Sequence, residues 1–210
     1  MRFGILLGAV ILLGAFIFWR DLYGSVKGKQ TAKDRKEKET VGQNANGISI
    51  LRQWDLPGDL KEVSGIAYMD DNRFACIQDE EGTIFIYNRS TNKIENRISF
   101  AGPGDYEDIA IQGQTAYVVR ADGRLFQVDR DQGEDSMKEY ATGLTEDHNV
   151  EGLVFDAANN RLLMAIKDEE PGNKDYKGIY AFDIKSKKFI DEPLVKISMD
   201  ETVLNDAGKK

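Results

Sequence analysis

The apolar residues of this chain fall into one unbroken block near the start and a long series of short runs after it. The block is FGILLGAVILLGAFIFW, Phe3 to Trp19, 17 residues without a charge. At 1.5 Å per residue it lies at the short end of what spans bilayer hydrocarbon. Phe18 and Trp19 place aromatics at an interface, and Arg20-Asp21 stops the run. It ends in bulky rings rather than a small-x-small cleavage site. An uncleaved signal-anchor, one transmembrane helix within residues 1–23, is therefore expected; a cleaved signal or a buried core helix is the alternative. Residues 24–47 hold almost no large apolar side chains and read as a flexible charged linker.

From residue 48 the pattern changes to short strands with turns between them, and it repeats. Ser64-Gly65-Ile66-Ala67-Tyr68, Glu107-Asp108-Ile109-Ala110-Ile111 and Glu151-Gly152-Leu153-Val154-Phe155 recur at spacings of 43 and 44 residues. That is the length of one four-stranded propeller blade. Each copy continues with a second apolar run: Arg73 to Ile77, Thr115 to Val119, and Arg161 to Ile166. Third strands follow at Ile84 to Asn88, Leu125 to Asp129 and Ile179 to Asp183, with period-two alternation and a polar end. Weaker fourth strands are expected at Ile94 to Phe100, Met137 to Tyr140 and Leu194 to Ile197. Glu81-Gly82 and Asp122-Gly123 are expected to supply the positive φ of tight hairpins.

The fold class that follows is all-β, about three four-stranded β-propeller blades over residues 48–200. The run Ile48 to Leu56 is expected as a closing strand, and residues 201–210 as a tail or the start of a further blade. Three blades fall short of the usual four to eight, so an incomplete ring is expected, either because the sequence is truncated or because it leaves edges exposed that need a partner.

Charge narrows the partners. The chain carries a formal net charge of −8, yet residues 1–46 are net positive and the remainder holds 32 acidic against 20 basic residues. A domain that acidic repels phosphate backbones, which excludes nucleic acid and favours cations or basic partners. Cys76, the one cysteine, lies in the apolar run Phe74 to Ile77 and is expected to be a buried thiol. With one histidine, His148, no Ser/His/Asp set assembles. The acidic stretch Asp168 to Asp175 lacks the order of ligands of an EF-hand and reads as a solvated insertion.

The ordered set Leu60-Lys61-Glu62-Val63-Ser64-Gly65-Ile66-Ala67, Gln78-Asp79-Glu80-Glu81-Gly82, Asp105-Tyr106-Glu107-Asp108-Ile109-Ala110 and Asn149-Val150-Glu151-Gly152-Leu153 resembles the SdiA-regulated, or YjiK-like, bacterial family. The resemblance covers about residues 50–200. It implies a calcium-associated β-propeller, signal-anchored in the inner membrane with its domain facing the periplasm. Lysine and arginine counts beside the anchor point the other way, with Arg2 on one side and Arg20, Lys27 and Lys29 on the other. The chain departs from the family in having Asp108 where glycine is usual, and in stopping before the further blades.

In such a fold the start of each first strand rings the channel mouth. Ser64, Glu107 and Glu151 are expected there, joined by Gln78, Asp79, Arg120, Lys167 and Asp168 from the ends of the second strands. Glu107 and Glu151, with Asp108 and Asn149 close in sequence, offer hard oxygen ligands suited to Ca²⁺ rather than Zn²⁺. The bland alternative is a solvated polar rim. A non-enzymatic, membrane-anchored module binding calcium, a protein partner or a small ligand is the leading expectation. A metal-dependent, lactonase-like hydrolase is the alternative.

Overall fold

A computed structural model describes residues 50–168 and 170–199. They form three four-stranded antiparallel sheets, each a meander in chain order. Sheet I holds β1 (Val63–Tyr68), β2 (Arg73–Gln78), β3 (Thr83–Asn88) and β4 (Lys93–Ser99). Sheet II holds β5 (Tyr106–Gln112), β6 (Thr115–Arg120), β7 (Leu125–Asp129) and β8 (Lys138–Tyr140). Sheet III holds β9 (Val150–Asp156), β10 (Arg161–Ile166), β11 (Tyr176–Asp183) and β12 (Lys188–Ser198). The helical pieces among the described residues are two 3-10 turns, Gly58–Leu60 and Gly133–Ser136. The expected anchor (1–23), linker (24–47) and tail (201–210) lie outside the described residues. No helix among the described residues is long and apolar enough to cross a membrane.

The registers of the three sheets superimpose position by position. Ala67 pairs with Ala75, Ala110 with Tyr117 and Val154 with Leu163. Because side chains alternate faces along a strand, one such row fixes which residues of every sheet look the same way. One face of sheet I (Ala67, Ala75, Ile77, Ile84, Ile86) packs into a buried cluster with Tyr106, Ile109, Val118 and Phe126 of sheet II. The equivalent face of sheet II (Ala110, Tyr117, Val119, Leu125) packs with Leu153, Leu162, Met164, Tyr180 and Phe182 of sheet III. Along these junctions β1 packs on β5, and β5 on β9. Leu60 covers the far face of sheet I, over Cys76, Phe85 and Tyr87.

The junctions are stitched as well as greased. Tyr106 N–H donates to the Asp79 carbonyl at 3.2 Å, and in the same place one sheet later Val150 N–H donates to the Ala121 carbonyl at 3.0 Å. Ser64 Oγ donates to the Tyr106 carbonyl at 2.8 Å.

Three expectations change. Residues 50–57 form no strand, and Leu51 is 81% exposed. A strand needs a ladder partner for its N–H and C=O groups, and no described sheet takes a fifth strand. Gly123 does sit at φ +81, but Gly82 has no positive φ. Gly82 is needed for space: a Cβ there would come within 2.4 Å of the Ala101 carbonyl oxygen. The fourth strand of sheet III is longer than expected, because β12 runs from Lys188 through the irregular register between Ile179 and Ala181.

Candidate functional site

The first two strands of every sheet slip by one residue at the same place. Val63 pairs with Gln78 and Gly65 with Ile77, which leaves Ser64 as the extra residue of a β-bulge. Tyr106 pairs with Arg120 and Asp108 with Val119, leaving Glu107. Val150 pairs with Ile166 and Gly152 with Ala165, leaving Glu151. A bulge turns the strand and re-aims its extra side chain, and bulges cluster beside functional sites. Ser64, Glu107 and Glu151 thus occupy one structural position three times over, as their spacing predicts. The bulge itself left no mark in the hydrophobic pattern.

The two glutamates share a crowded electrostatic environment. The Glu107 carboxyl is pushed up to about 7, first by burial and then by the neighbouring charges of Asp105 and Glu151, and its protonated form gains further by donating a hydrogen bond to Asp105. Lys167 works the other way: its ammonium is ion-paired to Glu151 and lies close enough to lower Glu107. Two carboxylates near one another cannot both ionise freely, so a positive charge placed here lowers the energy of the whole group. Asp105, absent from the sequence-based set, joins the cluster because it immediately precedes β5 and its carbonyl accepts the Ala121 N–H at 2.9 Å.

The other expected site residues have separate tasks. The Asp108 carboxylate is engaged by two backbone amides: Oδ2 accepts the Leu153 N–H at 2.7 Å and Oδ1 accepts its own neighbour's Ile109 N–H at 2.8 Å. Through the first of these bonds it bridges β5 to β9. Burial raises its pKa, while those two amides oppose the rise. Asn149 sits at φ +49 and its carbonyl accepts the Lys167 N–H at 2.8 Å, closing the loop that carries Lys167 beside Glu151. Gln78 is buried and its Oε1 accepts the Glu80 N–H. Asp79 Oδ1 is buried with no hydrogen-bond partner among the described residues. Arg120 pairs with Asp122 at 2.6 Å and lies over the Phe126 ring. Among the described residues, no three His, Cys, Asp or Glu side chains form a ready metal cage.

A second polar group was not foreseen. Tyr180 O–H donates to Glu170 Oε1, and His148 Nε2 lies 3.6 Å from the same oxygen. His148 Nδ1 accepts the Thr145 N–H at 3.0 Å, which leaves the ring proton on Nε2, toward Glu170. The Glu170 side chain is only 15% exposed, so the stretch expected as a solvated insertion folds one carboxylate inward. Burial first, and then the Glu170 hydrogen bond, raise the Tyr180 pKa. Beside it an open cleft of about 800 Å³ is lined by Asp147, Asp168, Glu170, Lys174, Lys177 and Met199, so Asp168 lies there. The partners of this network come from β11 and two loops, a grouping that strand periodicity does not reveal.

No family model matches the chain, and no curated protein is significantly similar to it. Among solved structures, it is similar to Kuenenia stuttgartiensis hydrazine synthase with 15% identity and a TM-score of 0.48, over 70% of this chain and 38% of that one. It is also similar to the computationally designed Ika4 protein, at 14% identity and a TM-score of 0.47, covering 69% of this chain and 79% of that one. The chain therefore spans well under half of the hydrazine synthase chain, and likenesses at this level carry no conclusion about activity.

Proposed function

We propose that the three sheets are consecutive blades of a β-propeller, and that the chain is a non-enzymatic binding module which takes Ca²⁺ at the rim where Glu107 meets Glu151. The observation that carries this reading is the shared bulge of β5 and β9, which sets Glu107 and Glu151 at one equivalent position of neighbouring strands with Lys167 ion-paired to Glu151, in surroundings whose burial and negative charge raise the Glu107 pKa. A hard cation relieves that crowding directly. On this reading Glu107 and Glu151 supply carboxylate oxygens. They fill only part of the six to eight positions Ca²⁺ takes, which places the dissociation constant toward ~10⁻⁴–10⁻³ M, the range of extracellular modules. The Phe3 to Trp19 block would tether the module to the inner membrane with the rim facing the periplasm, in line with the resemblance to the SdiA-regulated family. A protein partner or small ligand would then dock on the same mouth.

The test is thermal unfolding against CaCl₂, with MgCl₂ as control. A saturable rise of the midpoint with calcium, lost in Glu107→Gln and Glu151→Gln, is expected. A flat response, or an equal rise in both variants, overturns the reading. One observation favours the hydrolase alternative: a carboxyl near neutrality is where a general base works best. Turnover of simple lactones by the wild type, abolished in Glu151→Gln, would replace the binding module by that enzyme.

A further inference from the structure

Two basic residues were expected at the mouth, and the structure gives them different partners. Arg120 is taken up by Asp122 at 2.6 Å and lies over the Phe126 ring. Lys167 sets its ammonium 2.5 Å from Glu151 Oε1, close enough to Glu107 for the two charges to feel each other. The registers place it one residue past the last pair of β9 and β10, where sheets I and II have Asp79 and Ala121. The repeat therefore does not require a lysine at this position. Its backbone is pinned: Lys167 N–H donates to the Asn149 carbonyl at 2.8 Å, Asp168 N–H donates to the His148 carbonyl at 3.4 Å, and the Lys177 ammonium donates to the Lys167 carbonyl. Its side chain is freer, 58% exposed against 34% for Glu151. The ammonium can swing into water without disturbing the strand end that carries it.

We propose that Lys167 is the rim's own cation: its ammonium offsets the two glutamates, a metal ion binds by displacing it, and Lys167 thereby selects divalent over monovalent ions. The inference rests on the calcium reading of Glu107 and Glu151 and names the residue that sets its specificity. An ammonium tethered beside the carboxylates competes at an effective concentration that rises as the tether shortens. It also makes a charge-assisted hydrogen bond to Glu151, which a bare sodium ion does not. Exchanging one positive charge for another therefore gains nothing to offset the loss of that contact. A divalent ion brings twice the charge to the same carboxylates, and its Coulomb gain exceeds the small net strength of an exposed ammonium–carboxylate pair. The displaced ammonium, a strongly hydrated point charge, recovers its water. Taking away the lysine charge removes a competitor and a repulsion together, which should tighten calcium binding by about three- to thirtyfold.

The test uses the whole 210-residue chain, purified in detergent, beside Lys167→Met and Lys167→Gln, which lose the charge, and Lys167→Arg, which keeps it. All are measured at about pH 8.5, well above the value of about 7 to which Glu107 is pushed. Isothermal titration calorimetry reads calcium affinity. Thermal midpoints compare NaCl with tetramethylammonium chloride, whose cation is too large to chelate, at equal ionic strength. Lys167→Met and Lys167→Gln are expected to bind calcium more tightly by the factor above and to be more stable in NaCl than in tetramethylammonium chloride. Wild type and Lys167→Arg are expected to show neither change. Calcium affinity that is unchanged or weaker in both uncharged variants overturns the role of Lys167 and leaves the calcium rim standing. A chain that ignores calcium in wild type and every variant overturns the calcium reading, and the sodium comparison then decides Lys167 by itself. A sodium preference confined to the uncharged variants keeps Lys167 as the rim's cation; equal midpoints throughout refute it.

Discussion

β5 and β9 begin with nearly the same pattern, Glu107-Asp108-Ile109-Ala110 and Glu151-Gly152-Leu153-Val154, yet among the described residues β5 has an inner strand packed on each side and β9 has β5 alone. In β5 both alternating rows are buried; in β9 Leu153 is buried while Val154 stands half in solvent. The same contrast separates Gly65, pressed against Asp108, from Gly152, which meets only Ala165. Equivalent residues in a repeat thus carry different energetic weight, because most of it comes from the neighbouring sheet rather than from their own.

Substitutions at matched positions can break that comparison. Ile109→Ala leaves a cavity inside a junction and should cost about 2–5 kcal/mol, whereas Ile66→Ala, in dilute protein, should cost under about 0.5 kcal/mol; urea unfolding of both measures the difference. Gly65→Ala drives a Cβ into the Asp108 backbone and should cost about 1–3 kcal/mol. Gly152→Ala, with only the Ala165 methyl at 3.1 Å to displace, should cost clearly less, and thermal midpoints of the pair settle the order. Asp108→Ala leaves the buried Leu153 and Ile109 amides without their acceptor, for about 1–3 kcal/mol, and Asp108→Asn should recover part of it because its one carbonyl oxygen still accepts.

The smallest effect is on pH dependence. Glu107 has its pKa raised from 4.5 to about 7 in the fold, so the folded chain binds this proton more tightly than the unfolded chain. Its contribution to stability is full below about pH 4.5 and is lost as pH rises through about 7. Glu107→Gln should flatten the fall in stability across that window, measured as unfolding midpoints against pH. An unchanged slope in the variant would remove Glu107 as its source.

Much of this arrangement is legible in the chain itself. The 43- and 44-residue spacing places Ser64, Glu107 and Glu151 at one position, and the registers return the same equivalence. The bridging task of Asp108 is hidden because its partner, the Leu153 amide, lies 45 residues away in another sheet. Gly82 misleads because a glycine needed for close approach looks, in sequence, like one needed for a turn. The pairing of His148 with Glu170 depends on how two loops fold over β11, which no period encodes. The run expected as a closing strand forms none over its described residues 50–56, because a sequence run cannot by itself supply the partner edge that a strand requires.

Thiol labelling at the matched positions tests the contrast between inner and terminal strands most directly. Cys76 is 1% exposed and burial pushes its thiol up to about 11, so it gives a quiet background. In dilute protein the thiol of Ile66→Cys should react at the rate of a free peptide, while that of Ile109→Cys should react only as fast as the chain unfolds. Equal labelling rates at the two positions would contradict the account.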